Sequence, residues 1–308
     1  MPAISVIICT HDPRPHYLQR VLNALKDQTL PKEQWQLLLI DNASKEPLAS
    51  AWDLSWHPQS RHIRENELGL TPARLRGIRE ATGEYLVFVD DDNVLAANYL
   101  EESISLFEHW PMLGAIGAGV CKGEFEIAPP ERISRYLGGL TLFELDRNYW
   151  ASLYGNFNST PIGAGLCVRR SVAKDYAQKA EASPLRRLLD HSGTKIGGGG
   201  DFDLAFCAID LGMGVGRFIS LELTHLIPKD RLTEDYMIRL WAGFAWCHEI
   251  LPALRPGSQR DSRALWKTKV LFYLNICLKR GIERRVMIAA ERARYQARKL
   301  IASHLVSP

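Results

Sequence analysis

The stretch "EYLVFVDDDNVL", Glu84 to Leu95, decides how this chain is read. Five apolar residues with strand preference, Tyr85 to Val89, run straight into three carboxylates, Asp90, Asp91 and Asp92. Aspartate disfavours regular structure and like charges this close repel, so the strand ends here and something must offset the charge. Three readings compete: a solvated acidic turn capping the next helix, a divalent-cation site built from hard carboxylate oxygens, or a carboxylate nucleophile, which nothing nearby supports.

Working outward, strand and helix signals alternate. "ISVIICT" (Ile4 to Thr10) and "WQLLLIDN" (Trp35 to Asn42) are short apolar strands ending in polar side chains. A helix pattern starts near Pro15, with Leu18, Val21, Leu22 and Leu25 at helical spacing. Pro72 to Ala81 reads as a helix with proline in its first turn, broken by Gly83, and Ala97 to Trp110 as another. This βαβαβ rhythm predicts a mostly parallel sheet with helices on both faces. Thr10-His11-Asp12, Asp41-Asn42 and Asp90-Asp91-Asp92 each close a strand, and ligands of open α/β sheets bind at the carboxyl ends of strands. One shared site explains three such ends better than three separate turns.

Composition bounds the class. With 308 residues, 46% hydrophobic and 24% charged, the chain is of globular type and large enough for one big domain or two unequal ones. Six cysteines (Cys9, Cys121, Cys167, Cys207, Cys247, Cys277) form no close pair, which argues against structural zinc or a disulfide scaffold and suits a reducing cytoplasm. "MPAISVIICTHD" has no basic region before its apolar run, so no signal peptide is expected. No apolar stretch approaches the roughly 18–20 residues that span a bilayer. From Arg260 to Pro308 there are twelve Lys/Arg against three Asp/Glu, a net +9, leaving 26 basic and 32 acidic residues, or −6, elsewhere. A basic tail on an acidic body suggests that one end faces an anionic surface.

No G-x-G-x-x-G follows the first strand and no G-x-x-x-x-G-K-[ST] occurs, so phosphate would be held by metal and arginine rather than by a glycine cradle. Arg74, Arg76 and Arg79 precede the acidic strand; Arg74 and Arg76 cannot share a helix face, so one or two at most point inward.

"SVIICTHDPRPHYLQRVLNALKDQT", "LLLIDNAS", "NELGLTPARLRGIREATGEYLVFVDDDN" and "GGGGDFDLAF" together resemble a family 2 glycosyltransferase. The resemblance is close over roughly Ile4 to Asn93 and intermittent to about Leu240. It implies the GT-A fold, a Rossmann-like nucleotide-binding mixed sheet flanked by helices. It further implies that Thr10, Asp12 and Asp41 hold the base and ribose, that Arg74 lies near them, and that Asp90 and Asp92 bind Mg²⁺ or Mn²⁺ on the diphosphate. Asp92 is expected to coordinate directly, Asp90 to touch ribose or metal, and Asp91 to point away, because strand neighbours alternate faces. Leu75 departs from the family, which usually has asparagine there.

The second half must supply the acceptor side and a base. Gly197 to Gly200 precede Asp201, and Leu204, Ala205, Ala208 and Leu211 follow at helical spacing, placing Asp201 near a helix N-cap beneath a flexible loop. Capping and general-base catalysis both suit it. The family usually has Glu-Asp here, with the aspartate as base; in this chain only Asp201 of the pair matches, since Gly200 stands in the other place. His225 and Arg231 follow the order of a family element in which the histidine completes the metal site and the basic residue meets the diphosphate. "TPIGAGLCVRR" (Thr160 to Arg170) resembles the acceptor-side strand, and Tyr149, Trp150 and Tyr154 could stack on a sugar.

The expected organisation is a catalytic domain over residues 1–250, with a nucleotide half (1–110) and an acceptor half (111–250), followed by a basic helical extension over 251–308. The expected function is inverting, metal-dependent transfer from a nucleoside-diphosphate sugar to a hydroxyl of a glycan or lipid-linked acceptor. The expected setting is the cytoplasm, with peripheral membrane contact through the basic helices and no nucleic-acid partner. A sugar-phosphate nucleotidyltransferase would need a glycine-rich loop that "CTHDPRPHY" lacks, and a silent nucleotide-sugar-binding protein fits Gly200 but not the intact aspartates.

Overall fold

The structure, a computed structural model, describes residues 2–190, 197–255, 276 and 278–305. Ten strands form one sheet: β1 (Ile4–Thr10), β2 (Trp35–Asn42), β3 (Ser60–Glu65), β4 (Tyr85–Val89), β5 (Asn93–Leu95), β6 (Leu113–Phe125), β7 (Phe143–Glu144), β8 (Tyr149–Ala151), β9 (Cys167–Arg169) and β10 (Gly214–Ile227). Their order is β3-β2-β1-β4-β9-β6-β10-β5, with β7 beside β6 and β8 beside β10. The expected parallel pairing holds among β3, β2, β1 and β4 and between β6 and β10; β9 runs antiparallel between the two blocks, so the sheet is mixed.

Helices α1 (Pro15–Lys26), α2 (Leu48–Ala51), α3 (Leu70–Glu80), α4 (Tyr99–His109), α5 (Arg170–Ala182), α6 (Pro184–Arg187) and α7 (Gly200–Asp210) alternate with the strands. Strand period two sorts the core into two layers. Ile4, Val6 and Ile8 of β1 pack with Leu18, Val21, Leu22 and Leu25 of α1 and with Tyr99 and Phe107 of α4. Ile7 points to the opposite face, toward α3, α5 and α7 through Ala73, Ile78, Val172, Tyr176 and Leu204. Leu75, the departure from the family pattern, is buried in this second layer, where an apolar side chain is favoured by packing.

The two halves of the catalytic region do not separate. β5, from the first half, pairs antiparallel with β10, from the second, so that Asn93 sits opposite His225. That crossing brings the acidic turn after β4 against the end of β10. A further helix pair follows: α8 (Glu234–Ala253) lines the cavity at the carboxyl ends of the strands, and α9 (Gly281–Leu305) packs on α8. Val286 joins a core with Ile133, Leu140 and Met237, and Ala297 one with Leu189, Cys247 and Ile250. Arg298 pairs with the buried Glu249 at 3.0 Å. The described part of the basic tail therefore packs on the catalytic region; the apolar block Val270 to Leu278 lies almost wholly outside the described residues.

Candidate active site

A cavity of about 1360 Å³ opens at the carboxyl ends of β1, β2 and β4. Thr10, Arg74, Asp90, Asp91, Asp92, Asp201, His225 and Arg231 all line it, so residues spread over more than two hundred positions converge on one site.

The acidic turn forms its floor. The strand stops at Val89, so the alternation rule no longer governs Asp91. Contrary to expectation Asp91 does not turn away: it accepts a short hydrogen bond from the Thr10 hydroxyl and lines the cavity. Burial, with the neighbouring Asp92 charge, pushes the Asp91 carboxyl up to about 7, and the same two causes raise Asp90. Asp92 behaves oppositely. Burial alone would raise it, but the Arg231 guanidinium, with Nη2 at 2.9 Å from Oδ2, holds it down at about 2. Asp92 is only 5% exposed, so it belongs to the wall of the cavity rather than to an open cleft.

His225 lies within β10, which runs on to Ile227 rather than ending near Leu223. Its Nδ1–H donates to the Leu140 carbonyl at 2.9 Å, leaving Nε2 to accept from Arg231 Nη1 at 3.1 Å. The same Nε2 lies 3.5 Å from Asp92 Oδ2. His225 Nε2, the Asp92 carboxylate and the Arg231 guanidinium thus form one polar group in the cavity wall, with Asp90 and Asp91 lining the same cavity. Asp92, Asp90 and His225, the expected metal ligands, all line the cavity, where Arg231 is the counter-charge to Asp92. Among the described residues the one group of three His, Cys or carboxylate side chains with ligand atoms close enough to share a metal ion is Asp175, Cys207 and Asp210, where the Lys179 ammonium sits 2.6 Å and 2.8 Å from the two carboxylates.

Of the three helix arginines only Arg74 is buried; Arg76 pairs with Glu80 in its own helix, and Arg79 is exposed near Glu181. Arg74 meets Asp190 through Nη1, at 3.0 Å and 3.1 Å from the two carboxylate oxygens. Asp190, which the sequence did not single out, also accepts from the Thr71 hydroxyl at 2.8 Å.

Asp201 is the second residue of α7, whose cap position is Gly199 with no side-chain cap bond, so plain N-capping does not account for it. Its Oδ2 instead accepts the Gly163 N–H at 2.7 Å, and its Oδ1 that of Phe202 at 2.8 Å. A Cβ at Gly163 would stand 3.2 Å from Arg74 Nη2 and from Asp201 Oδ2, a tight fit that glycine relieves. Burial raises the Asp201 carboxyl to about 6, against the opposing pull of Arg74. A carboxylate that is ionised just below neutral pH is tuned for taking a proton. The four glycines before it are packed rather than loose: Gly197 lies against the backbone of Leu189 and Asp190, and Gly199 against Cys247.

Two of the expected nucleotide contacts are placed elsewhere. Asp41 is 4% exposed and does not line the cavity. Its carboxylate is engaged by the Ser44 N–H (3.0 Å), the Leu48 N–H (3.2 Å) and Arg64 Nη1 (2.6 Å), so it holds the turn after β2. Asp12, at φ 45°, takes the Lys45 N–H at 2.8 Å and ties the β1 turn to the same loop. Both shape the rim through backbone contacts, and Asn42 and His11 reach the cavity in their place. Of the three aromatic candidates only Tyr154 lines the cavity; Tyr149 bonds Asp146, and Trp150 packs near Trp110. The sequence missed the apolar wall, Phe157, Phe202, Phe206, Trp241 and Phe244, because it is assembled from three separate segments.

Comparison with known proteins agrees with this architecture. The model of glycosyl transferase family 2 matches residues 5–157. Glycosyltransferase AglE of Haloferax volcanii is 30% identical over 108 residues, covering 34% of this chain and 35% of that protein. Poly(ribitol-phosphate) beta-N-acetylglucosaminyltransferase TarS of Staphylococcus aureus is 26% identical over 141 residues, 42% of this chain and 24% of that one. N-acetylgalactosaminyltransferase 7 of Drosophila melanogaster is 27% identical over 234 residues, 74% of this chain and 36% of that one. The matches thus span about a quarter to a third of these relatives' lengths. The crystal structure of S. aureus TarS residues 1–349 superposes with a TM-score of 0.50 at 12% identity, over 98% of this chain and 90% of that one, a likeness of fold. With the acidic turn, the inward arginine and the Asp201 helix in the family's order, the chain belongs to glycosyl transferase family 2.

Proposed function

We propose that this protein transfers a glycosyl group from a nucleoside-diphosphate sugar to an acceptor hydroxyl, with inversion at the anomeric carbon. The observation that carries this reading is the single cavity holding two opposed devices: the Asp90–Asp92 turn with His225 and Arg231, and Asp201 with its carboxyl raised to about 6. Asp201, ionised at neutral pH, takes the proton of the acceptor hydroxyl as that oxygen attacks the anomeric carbon and the diphosphate leaves in one displacement. Arg231 stabilises the diphosphate charge that develops. Asp90, Asp92 and His225 would hold Mg²⁺ or Mn²⁺, which supplies further neutralisation of that leaving group. His11, Asn42 and Thr10 stand at the strand ends where the nucleoside would lie.

The family relatives named as N-acetylglucosaminyl- and N-acetylgalactosaminyltransferases support an amino-sugar donor among the candidates. The acceptor is a glycan or a lipid-linked one; Tyr154, Phe157, Phe202 and Phe206 offer apolar faces on its side of the cavity. Peripheral contact with an anionic membrane is part of the proposal, through Arg284, Arg292 and Lys299, which stand exposed on α9. No helix among the described residues is long and apolar enough to cross a membrane. Incubating the protein with a panel of sugar nucleotides, with and without Mn²⁺ or Mg²⁺, and measuring released nucleoside diphosphate tests the reading. Release from one donor that needs acceptor and fails in Asp201→Asn is the expected result. Binding of sugar nucleotide without any turnover, across the panel and with a range of hydroxyl acceptors, would overturn it in favour of a silent binding protein.

A further inference from the structure

Gly200 stands where the resembled family has the acidic partner of the base, and the space its side chain would take is filled. A Cβ built on Gly200 falls inside the Asp190 carboxylate, far within contact distance of both oxygens. That carboxylate is 4% exposed, is held by Arg74 Nη1 and the Thr71 hydroxyl, and reaches this place from the segment after α6. Leu189 is fixed beside it, its carbonyl accepting the Gly199 N–H at 3.2 Å, so the two segments are stitched together at the start of α7. We infer that Asp190 has taken over, from a different position in the chain, the acidic role absent at residue 200, and that it is a positioning residue for Arg74 and, through Arg74, for Asp201.

The geometry explains why the group matters. Arg74 is buried, and an isolated buried guanidinium is costly unless paired. With Asp190 on its Nη1, the other end of Arg74 stays next to Gly163, the residue whose N–H holds Asp201. Arg74 draws the Asp201 carboxyl down and Asp190 pushes it up, so the pair sets how strongly Asp201 holds its proton. Among the described residues the Cys247 thiol on α8 also feels the Asp201 charge, and burial pushes that thiol up to about 12. Loss of the Asp190 charge therefore leaves Arg74 to act on Asp201 alone.

This inference rests on the transferase reading for its kinetic arm but not for its structural arm. Kinetically, Asp190→Asn should keep the side-chain volume, lower kcat by about tenfold or more as Asp201 becomes a weaker base, and move the acidic limb of the pH–rate profile below about pH 6. Structurally, Asp190→Ala should lower the melting temperature by on the order of 5–10 °C, as expected for breaking a buried ion pair. Gly200→Glu alone should be harmful because its side chain collides with Asp190. Combined, Asp190→Ala/Gly200→Glu should recover both melting temperature and turnover above either single variant. A double variant no better than the product of the singles, or an Asp190→Asn enzyme with an unshifted pH profile, would overturn the proposal. If the wild type turns over no sugar nucleotide, the transferase reading fails separately, and the melting cycle still decides whether the two positions share one acidic site.

Discussion

Asp201→Asn separates chemistry from architecture, because the structure makes the two effects run in opposite directions. The substitution keeps the shape of the side chain and an oxygen able to accept the Gly163 N–H. It removes a carboxylate whose pKa lies at about 6 rather than its usual 3.8, mainly through burial. A folded-state pKa above the unfolded one means that the native protein binds more protons between those two values, so stability falls as pH rises from about 4 through 6. The full shift corresponds to about 3 kcal/mol, and water reaching the cavity reduces it to about 1–2 kcal/mol. Above pH 7 the asparagine variant should therefore be as stable as the wild type or more so, by a few degrees in melting temperature. Below pH 4 the difference should vanish. Turnover should fall by about 10²–10⁴-fold, the usual cost of a lost general base, with donor affinity kept. The wild-type rate should rise with pH through an inflection near 6, and the variant's residual rate should lack that inflection. Differential scanning calorimetry across pH 4–8, with rates of nucleoside diphosphate release on the same samples, measures both. A variant that melts lower at pH 8 yet turns over at a near-normal rate would refute the reasoning and leave Asp201 as an anchor for the Gly163 loop.

Asp92→Asn should abolish metal-supported nucleotide binding, a loss of about 100-fold or more; calorimetry with UDP, GDP and dTDP plus Mn²⁺ checks this, and unchanged affinity for the preferred nucleotide refutes the metal assignment. The same change removes the charge that Arg231 holds down to about 2, a stabilisation of about 2 kcal/mol that is present above pH 4 and lost as pH falls toward 2, so the variant should melt lower at pH 7 but not at pH 2. Asp203→Ala should destabilise by about 3–5 kcal/mol, since Asp203 is fully buried between Arg186 (2.6 Å) and Arg255 (2.8 Å) and its loss removes the carboxylate that both guanidinium groups share, leaving Arg255 on Asp210; urea unfolding gives the number, and a loss under 1 kcal/mol would contradict it. Deleting the chain from Arg260 should cost at least about 3 kcal/mol, because Val286 and Ala297 leave their buried cores and Glu249 loses Arg298, and should also end co-sedimentation with anionic vesicles at low salt. A full-length protein that ignores such vesicles would leave α9 as a packing element alone.

The first half of the molecule was legible because its information is local. The apolar runs "ISVIICT" and "WQLLLIDN", each closed by polar residues, match β1 and β2, Pro15 and Pro72 marked helix starts, and polar residues closing β1 and β4 do line one cavity. The order of these signals was enough to reach the family. The resemblance also pointed to Asp201, His225 and Arg231, which the fold brings to the same cavity. What it could not decide is which partner each charge finds, because that depends on contacts between segments far apart in the chain. Asp41 looks in sequence like a ligand-facing aspartate, yet Arg64 and two backbone N–H groups satisfy it. Asp91 was expected to alternate away, but the strand ends two residues earlier and Thr10 turns it inward. Asp190 sits in an ordinary polar stretch, and nothing in the sequence at Gly200 says that a carboxylate from another segment fills the space beside it. The pairing of β5 with β10, which sets His225 against Asp92, and the fit of Asp190 into the space above Gly200 exist only once the chain has closed, because a buried charge is tolerated only where the fold delivers its counter-charge.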